Sequence, residues 1–232
     1  MKYPSSPRAV RMLLVAAAVA GAVLLGLAAI ILAGGSQPLG VDVWVHDRMA
    51  DMANDGVITV ARGITHLGDS LVAWIIAGLV TVALLAFRKW PHAIAVGGGM
   101  LLAIALVRVG KAVVERARPL DAVAPGGGTS FPSGHSTYGV MWLVLGIVAT
   151  LVVPALRGTR WPVVLGAVIT LLIPLTRVYL RPHWLTDVIG GLSAGTVAFA
   201  LAGALGIWLY ARARRAPDAT RPRDDGASAR SG

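Results

Sequence analysis

The sequence predicts an all-α fold, an integral membrane bundle of six transmembrane helices. Hydrophobic residues make up 56% of the 232 residues, and the mean hydropathy is +0.73. A water-soluble domain of this length needs far less apolar surface. Six apolar stretches are each long enough, or nearly so, to cross roughly 30 Å of hydrocarbon at about 1.5 Å per helical residue. These stretches are residues 13–33, 70–87, 92–110, 136–155, 162–180 and 187–210.

The first stretch follows a basic N-terminal segment, as in a signal peptide, but it is longer than a typical signal-peptide core. We therefore expect it to be retained as the first span. The third stretch contains Gly97, Gly98 and Gly99, and the sixth carries Gly191 and Gly195 in a G-x-x-x-G spacing. Such small residues let helices approach one another closely, so we expect tight helix contacts at both places.

The net charge is +10, from 21 basic and 11 acidic residues. In a soluble protein this charge would suggest nucleic acid binding, but here many basic residues flank apolar stretches, as the positive-inside rule requires. We expect no nucleic acid partner, and we predict a multi-pass protein of the cell membrane with both termini in the cytoplasm. Residues 1–210 would form the membrane domain, and the charged, Pro-containing residues 211–232 a disordered cytoplasmic tail. With no cysteine in the chain, thiolate chemistry is excluded.

Two of the predicted outer connections carry basic residues against this rule, which calls for a specific reason. These residues are Lys111, Arg116, Arg118, Arg177 and Arg181. Residues 36–69 also fall outside, and the stretch VDVWVHDRMADM within them is equally consistent with an amphipathic helix at the interface and with an ordinary connecting helix.

The stretch KAVVERARP follows the third span. Lys111 and Arg118 are seven residues apart, so they share one face if the helix continues that far, with Pro119 helping to end it. Two cations on one face suit an anion. Glu115 lies four residues after Lys111, which leaves open a simple surface ion pair.

The stretch FPSGHSTYG precedes the fourth span, and its Pro132, Ser133 and Gly134 are typical of a helix start with Ser133 as N-cap. The free N–H groups of such a start favour an anion, and His135 would lie beside it. A capped helix whose histidine faces water is the alternative. Ser133 as a nucleophile is disfavoured, because the sequence has no G-x-S-x-G elbow.

The stretch TRVYLRPHWLTD lies between the fifth and sixth spans. Pro182 suits the first position of a new helix, on which His183 and Asp187 would be four residues apart. A carboxylate that holds one imidazole nitrogen leaves the other free to act as a nucleophile. Because ionisable residues in a membrane protein are expensive, function is favoured here over a structural pair.

These stretches together supply what phosphoryl transfer needs. Cations and backbone N–H groups stabilise the charge on the transferring phosphoryl group. One histidine attacks phosphorus and the other protonates the leaving oxygen.

The three stretches resemble the three-part signature of the type 2 phosphatidic acid phosphatase family, which is related to the vanadium haloperoxidases. The matching elements are Lys111-x6-Arg118-Pro119, Pro132-Ser133-Gly134-His135 and Arg177-x5-His183-x3-Asp187. The family's third motif usually begins with Ser, where this chain has Thr176, which keeps the hydroxyl.

The resemblance implies a role for each matching residue. His183 would be the nucleophile that forms a phosphohistidine, Asp187 would orient it, and His135 would serve as general acid and then as base. The phosphate-binding residues would be Lys111, Arg118, Ser133, Gly134 and Arg177. No metal and no cofactor are implied, and Glu115, Arg116 and Arg181 match no fixed position.

The resemblance also implies an active site at the outer membrane interface and a lipid phosphate substrate drawn from the bilayer. Candidates are phosphatidic acid, phosphatidylglycerophosphate and undecaprenyl diphosphate, which the residues do not separate, and no oligomeric state is implied. Three alternatives remain. They are a lipid phosphotransferase using the same residues, a non-enzymatic lipid-phosphate binder or transporter, and a metal-dependent hydrolase with His135, His183 and Asp187 as ligands.

Overall fold

The structure, a computed structural model, describes residues 7–215, and within this range it consists of helices and loops without strands. The helices are α1 (Pro7–Ala33), α2 (Gly40–Asp51), α3 (Asp55–Thr65), α4 (Ser70–Ala86), α5 (Trp90–Ala93), α6 (Gly99–Val114), α7 (Gly134–Val152), α8 (Trp161–Tyr179) and α9 (Leu185–Arg215). A π-helical segment, Ile94–Gly98, joins α5 to α6. Short 3₁₀ helices follow α3 and α7, at His66–Gly68 and Pro154–Leu156.

The all-α membrane bundle predicted from the sequence is confirmed. In the described part of the chain, five helical stretches are long and apolar enough to cross a membrane: α1, α5 with α6, α7, α8 and α9. A sixth span arises if α3 and α4, which meet at a bend of 43°, are counted together. The third span is longer than predicted, running from Trp90 to Val114. Helix α9 continues to Arg215, so residues 211–215 of the predicted disordered tail are helical, and residues 216–232 lie outside the described range.

Helix α9 occupies the centre of the bundle, in contact with α1, α6 and α7. Its G-x-x-x-G pair lies directly against α7: a Cβ atom at Gly191 would fall 2.4 Å from the Ser133 carbonyl oxygen, and one at Gly195 would fall 2.4 Å from that of Thr137. The predicted close approach is therefore confirmed here. It brings the N-terminal end of α9, with Asp187, next to the N-terminal end of α7, with His135.

The described chain ends lie at one end of the bundle, and the predicted site residues lie at the other. Pro7, at the start of α1, and Arg215, at the end of α9, line one cavity, so the two described chain ends lie together. Helix α9 has 31 residues and is about 46 Å long, which places its first turn at the opposite end. The end of α6 and the starts of α7 and α9 meet there.

Candidate active site

A cavity of about 340 Å³ opens at this opposite end, between α4, α6, α7, α8 and the loops that follow α6 and α8. Six of the eight predicted site residues line it: Lys111, Arg118, Gly134, His135, Arg177 and His183. The other two, Ser133 and Asp187, are fully buried. The structure therefore brings all three sequence stretches to one place.

Lys111 and Arg118 reach the cavity by a different route from the one predicted. Helix α6 ends at Val114, where Glu115 takes a left-handed backbone conformation with φ of 47°. Arg118 thus lies on the following loop, and the prediction that the two cations share a helical face is wrong. The alternative ion pair with Glu115 is also absent, since Lys111 donates to the carbonyl of Thr129.

The cations of the cavity are held by neutral groups. Arg118 donates to the carbonyls of Gly128, Gly127 and Thr129, at 3.0, 3.0 and 3.2 Å. Arg177 donates to the Thr65 hydroxyl and the Pro125 carbonyl, at 3.1 and 3.3 Å. Across residues 7–215, no carboxylate oxygen lies within 4.0 Å of a side-chain nitrogen of Lys111, Arg118 or Arg177. Burial lowers the pKa of Arg118, and the carboxylate of Asp187, which lies beyond ion-pair distance, opposes this shift only in part. The cavity is therefore built to receive an anion.

His183 is neutral, and the protonation of its ring follows from its neighbours. Nη1 of Arg118 lies 2.9 Å from His183 Nε2, and because a guanidinium only donates, Nε2 must accept. The ring proton then sits on Nδ1, which lies 3.6 Å from Oδ2 of Asp187. Burial lowers the pKa of His183 to about 3; Asp187 opposes this shift and Arg118 adds to it. At neutral pH Nε2 of His183 is therefore unprotonated, and its lone pair accepts from Arg118.

His183 was predicted to lie on the helix that carries Asp187, but it lies before helix α9. Asp187 explains this difference. Oδ2 of Asp187 accepts the backbone N–H of Trp184 at 2.9 Å, the reciprocal half of a capping box. Helix α9 consequently begins at Leu185, two residues after His183. The carboxylate caps the helix and faces the imidazole at the same time.

Arg116, which sequence reasoning set aside, links Asp187 to a second carboxylate. Its fully buried guanidinium donates to Oδ1 of Asp187 at 2.8 Å and to Oδ2 of Asp42 at 2.6 Å. Asp42, on α2, is also fully buried and accepts the backbone N–H of Thr186 at 2.9 Å. The chain Asp42–Arg116–Asp187–His183 thus anchors α2 to the site. The signature gave no signal for it, because Asp42 and Arg116 are 74 residues apart.

A second carboxylate missed from the sequence, Asp69, holds His135. Oδ1 of Asp69 lies 2.9 Å from His135 Nε2, and Oδ2 lies 2.8 Å from Nδ1 of the exposed His66. Since an ionised carboxylate only accepts, His135 donates from Nε2, and Nδ1 remains to exchange a proton with a substrate. Asp69 lies in the sequence between a 3₁₀ helix and α4, in a segment where no motif points to it.

Replacing Asp69 by asparagine removes the charge that stabilises the imidazolium of His135. We expect kcat for release of phosphate to fall about 10- to 100-fold, in the range typical of general acid–base assistance. The loss should fall on kcat more than on KM, because Asp69 does not line the cavity. Asp47→Asn, an exposed carboxylate on α2, is the control. A kcat in Asp69→Asn equal to that of the control would contradict the assignment.

Ser133 lies at the predicted N-cap of α7, but its side chain caps nothing. Its hydroxyl accepts from the Ser136 hydroxyl at 3.1 Å, while its backbone N–H donates to the Asp187 carbonyl at 2.9 Å. Ser133 does not line the cavity, whereas Gly134 does. Thr176 donates its hydroxyl to the Ile173 carbonyl at 2.6 Å, within its own helix.

The family model of the PAP2 superfamily matches residues 92–215, more than half of the chain. The chain belongs to the PAP2 superfamily. The matched range contains every residue of the three sequence stretches, so the resemblance drawn from those motifs is confirmed.

Curated PAP2 relatives and a solved PAP2 structure are also similar over most of the chain. Phosphatidylglycerophosphatase B of Bacillus subtilis is 33% identical over 152 residues, which cover 61% of this chain and 71% of the relative. Decaprenylphosphoryl-5-phosphoribose phosphatase of Mycobacterium tuberculosis is 29% identical over 171 residues, which cover 72% and 90%. The crystal structure of a transmembrane PAP2 type phosphatidylglycerolphosphate phosphatase from Bacillus subtilis is 27% identical, with a TM-score of 0.71 and coverage of 80% of this chain and 93% of that one. The predicted class, a PAP2-type phosphate ester hydrolase, agrees with all three.

Proposed function

We propose that this PAP2 protein is a membrane phosphatase that removes the terminal phosphate of a lipid phosphate or diphosphate through a phosphohistidine, without a metal ion. The observation that carries the proposal is the group of cations around His183. Lys111, Arg118 and Arg177 line one cavity, no carboxylate pairs with them in the described chain, and a neutral imidazole nitrogen lies among them. A phosphate dianion supplies the missing charge.

The first half of the reaction forms a bond between His183 and phosphorus. The phosphate oxygens accept hydrogen bonds from the N–H groups of the cations. Nε2 of His183 then attacks phosphorus in line with the leaving oxygen. The P–O bond breaks with its electron pair on that oxygen, which receives a proton from His135. The Nδ1–H of His183 faces Asp187, which stabilises the positive charge that develops on the ring.

The second half reverses the proton transfer. Nδ1 of His135, now unprotonated, takes a proton from an entering water molecule, whose oxygen attacks phosphorus. The N–P bond breaks with its electron pair on Nε2, and inorganic phosphate leaves. Asp69 holds the His135 ring in place during both halves.

The donor set supports a reaction that uses no metal. His135 Nε2 is directed at Asp69, and His183 Nε2 is directed at Arg118. Within residues 7–215, no three histidine or carboxylate side chains converge as metal ligands do. Nearby cations would also repel a metal ion, so the charge on phosphate is better met by the side chains themselves.

The site is proposed to face the outer side of the membrane, with both termini in the cytoplasm. Pro7 and Arg215 lie together at the bundle end opposite the site, so one orientation accounts for both. The last turn of α9 carries Arg212, Arg214 and Arg215, as the positive-inside rule favours for a cytoplasmic end. Membrane lipids would then present their headgroups to the cavity from the outer interface.

The proposal is tested by phosphate release from purified protein in detergent. The panel comprises phosphatidic acid, phosphatidylglycerophosphate and undecaprenyl diphosphate. The last two are suggested by the names of two relatives, the phosphatidylglycerophosphatase B of Bacillus subtilis and an undecaprenyl-diphosphatase of Sulfolobus acidocaldarius. We expect at least one substrate to be hydrolysed, with the rate unchanged by excess EDTA and suppressed by vanadate.

Three results would contradict the proposal. Hydrolysis of no lipid phosphate would favour a binder or transporter. Loss of activity in EDTA would favour a metal-dependent hydrolase. Consumption of substrate with a phosphorylated lipid acceptor and no free phosphate would favour a phosphotransferase.

A further inference from the structure

The cavity wall contains one more cation, Arg108, which the signature does not include. Arg108 lies on α6 three residues before Lys111, and residues three apart on a helix share a face. Because α6 runs outward towards the site, Arg108 lies about one turn deeper in the bundle than Lys111. The wall therefore has a second cationic level on its membrane side.

Arg108 has no counter-ion in the part of the chain that the structure describes. Across the described residues, no carboxylate oxygen lies within 4.0 Å of its guanidinium. The carboxylates of the site are already engaged, Asp187 by Arg116 and Asp69 by two histidines. An unpaired arginine on a membrane-spanning helix is costly unless an anion or the interface receives it.

The rest of this deeper level is aromatic and apolar. Val107 of α6, Trp74 of α4 and Tyr138 of α7 line it, and the rings of Trp74 and Tyr138 meet edge to face at 6.2 Å. Such a surface suits the first part of a lipid tail. A tail that leaves the cavity towards the hydrocarbon must therefore pass Arg108 after leaving the terminal phosphate.

We infer that Arg108 binds a second phosphate of the substrate, the one between the terminal phosphate and the lipid tail. The inference rests on the proposed function, since it takes the terminal phosphate to lie among Lys111, Arg118 and Arg177. The planar fork of arginine matches two phosphate oxygens. Arg108 is thus a specificity-determining residue that favours lipids with two phosphates over lipids with one.

The same contact assists the reaction of a diphosphate. When Nε2 of His183 attacks the terminal phosphorus, the bond to the bridging oxygen breaks, and its electron pair stays on the departing lipid monophosphate. His135 protonates that group, and the positive charge of Arg108 stabilises the charge that it gains. A monophosphate substrate has no second phosphate for Arg108 to hold, so its hydrolysis gains nothing from this residue.

The test compares farnesyl diphosphate with farnesyl monophosphate, which share one tail. Arg108→Gln is expected to lower kcat/KM for the diphosphate about 10- to 100-fold, as for the loss of a charge-assisted hydrogen bond, and to change that for the monophosphate by about twofold or less. Arg108→Lys should restore part of the activity. Arg48→Gln, an exposed arginine on α2, is the matched control and should leave both substrates unaffected.

Equal losses on the two substrates would overturn the inference, because Arg108 would then serve the whole site. No loss on either would overturn it as well, because the side chain would then extend to the headgroup region. A binding measurement tests the second-phosphate site independently of the proposed reaction. In a His183→Ala background, adding Arg108→Gln should weaken farnesyl diphosphate binding about tenfold or more and spare the monophosphate. Should the wild-type protein hydrolyse neither lipid while this difference persists, the proposed reaction fails and the second-phosphate site stands.

Discussion

His183→Ala is expected to reduce phosphate release from a lipid phosphate by about 10⁴-fold or more, the scale on which removal of a covalent nucleophile acts. The reason is specific to one atom. Nε2 of His183 is the neutral nitrogen that lies among the cavity cations, and burial keeps the pKa of this ring near 3, so the wild-type residue is unprotonated at neutral pH. Alanine keeps the cations of the cavity and removes the imidazole with its Nε2 lone pair.

The control is His46→Ala. Like His183, His46 lies at the site end of the bundle, but it is on α2 and does not line the cavity. Its Nε2 lies 2.9 Å from a carboxylate oxygen of Asp121. Rapid quenching with a labelled substrate should trap a base-stable, acid-labile phosphoenzyme in the wild-type protein and none in His183→Ala. A phosphoenzyme that persists in His183→Ala would show that another residue is the nucleophile.

Arg116→Ala is expected to have the second-largest effect, because it leaves Asp42 and Asp187 buried without their cation. Breaking a buried ion pair in this way costs about 3–5 kcal/mol. We expect a large loss of stability in denaturant unfolding of the detergent-solubilised protein. Arg116→Lys keeps the charge but loses the fork that spans both carboxylates, so an intermediate loss is expected.

A pH profile separates positioning by Arg116 from a purely structural role. Without the guanidinium, the charge of Asp187 is no longer shared, so it favours protonation of His183 and raises the pKa of that ring. The nucleophile then needs a higher pH to lose its proton, and the acid limb of kcat/KM should move upward in Arg116→Lys, which is more stable than the alanine variant.

Arg181→Ala is the matched control for this experiment. Arg181 is a comparably buried arginine whose ion pair, at 3.1 Å, is with Asp121 and not with Asp187. Its loss should lower stability without moving the acid limb. A limb that moves equally in both variants, or in neither, would leave Arg116 with a structural role only.

The features predicted correctly from the sequence are those with a local pattern. Apolar stretches gave the spans, because crossing hydrocarbon requires about 20 apolar residues wherever they occur. The G-x-x-x-G spacing gave the contact of α9 with α7. Lys111, Arg118, His135, Arg177 and His183 were singled out by the resemblance of their three stretches to a known signature, and the structure brings them to one cavity. Their roles in the reaction stay a prediction.

The features that could not be predicted from the sequence depend on contacts between residues far apart in the chain or on rare backbone conformations. Glu115 ends α6 in a left-handed conformation that non-glycine residues seldom adopt, so the helix was expected to continue. Asp69 lies 66 residues from His135, and the contact is visible only once α4 packs beside α7. Arg116 matches no fixed position of the signature, and its contact with Asp42 of α2 is visible only in the folded chain.

The carbonyls that surround the cations of the cavity have a consequence for turnover. The segment 125–129 offers carbonyl oxygens that accept hydrogen bonds from Arg118 and Arg177 but bring no net charge. An entering anion must compete with them, and a monovalent halide, which cannot match the fork geometry, gains little by doing so. A phosphate dianion wins the competition through its charge. After hydrolysis the same carbonyls can again accept hydrogen bonds from the cations. They therefore favour release of a phosphate product that the cations would otherwise bind too tightly.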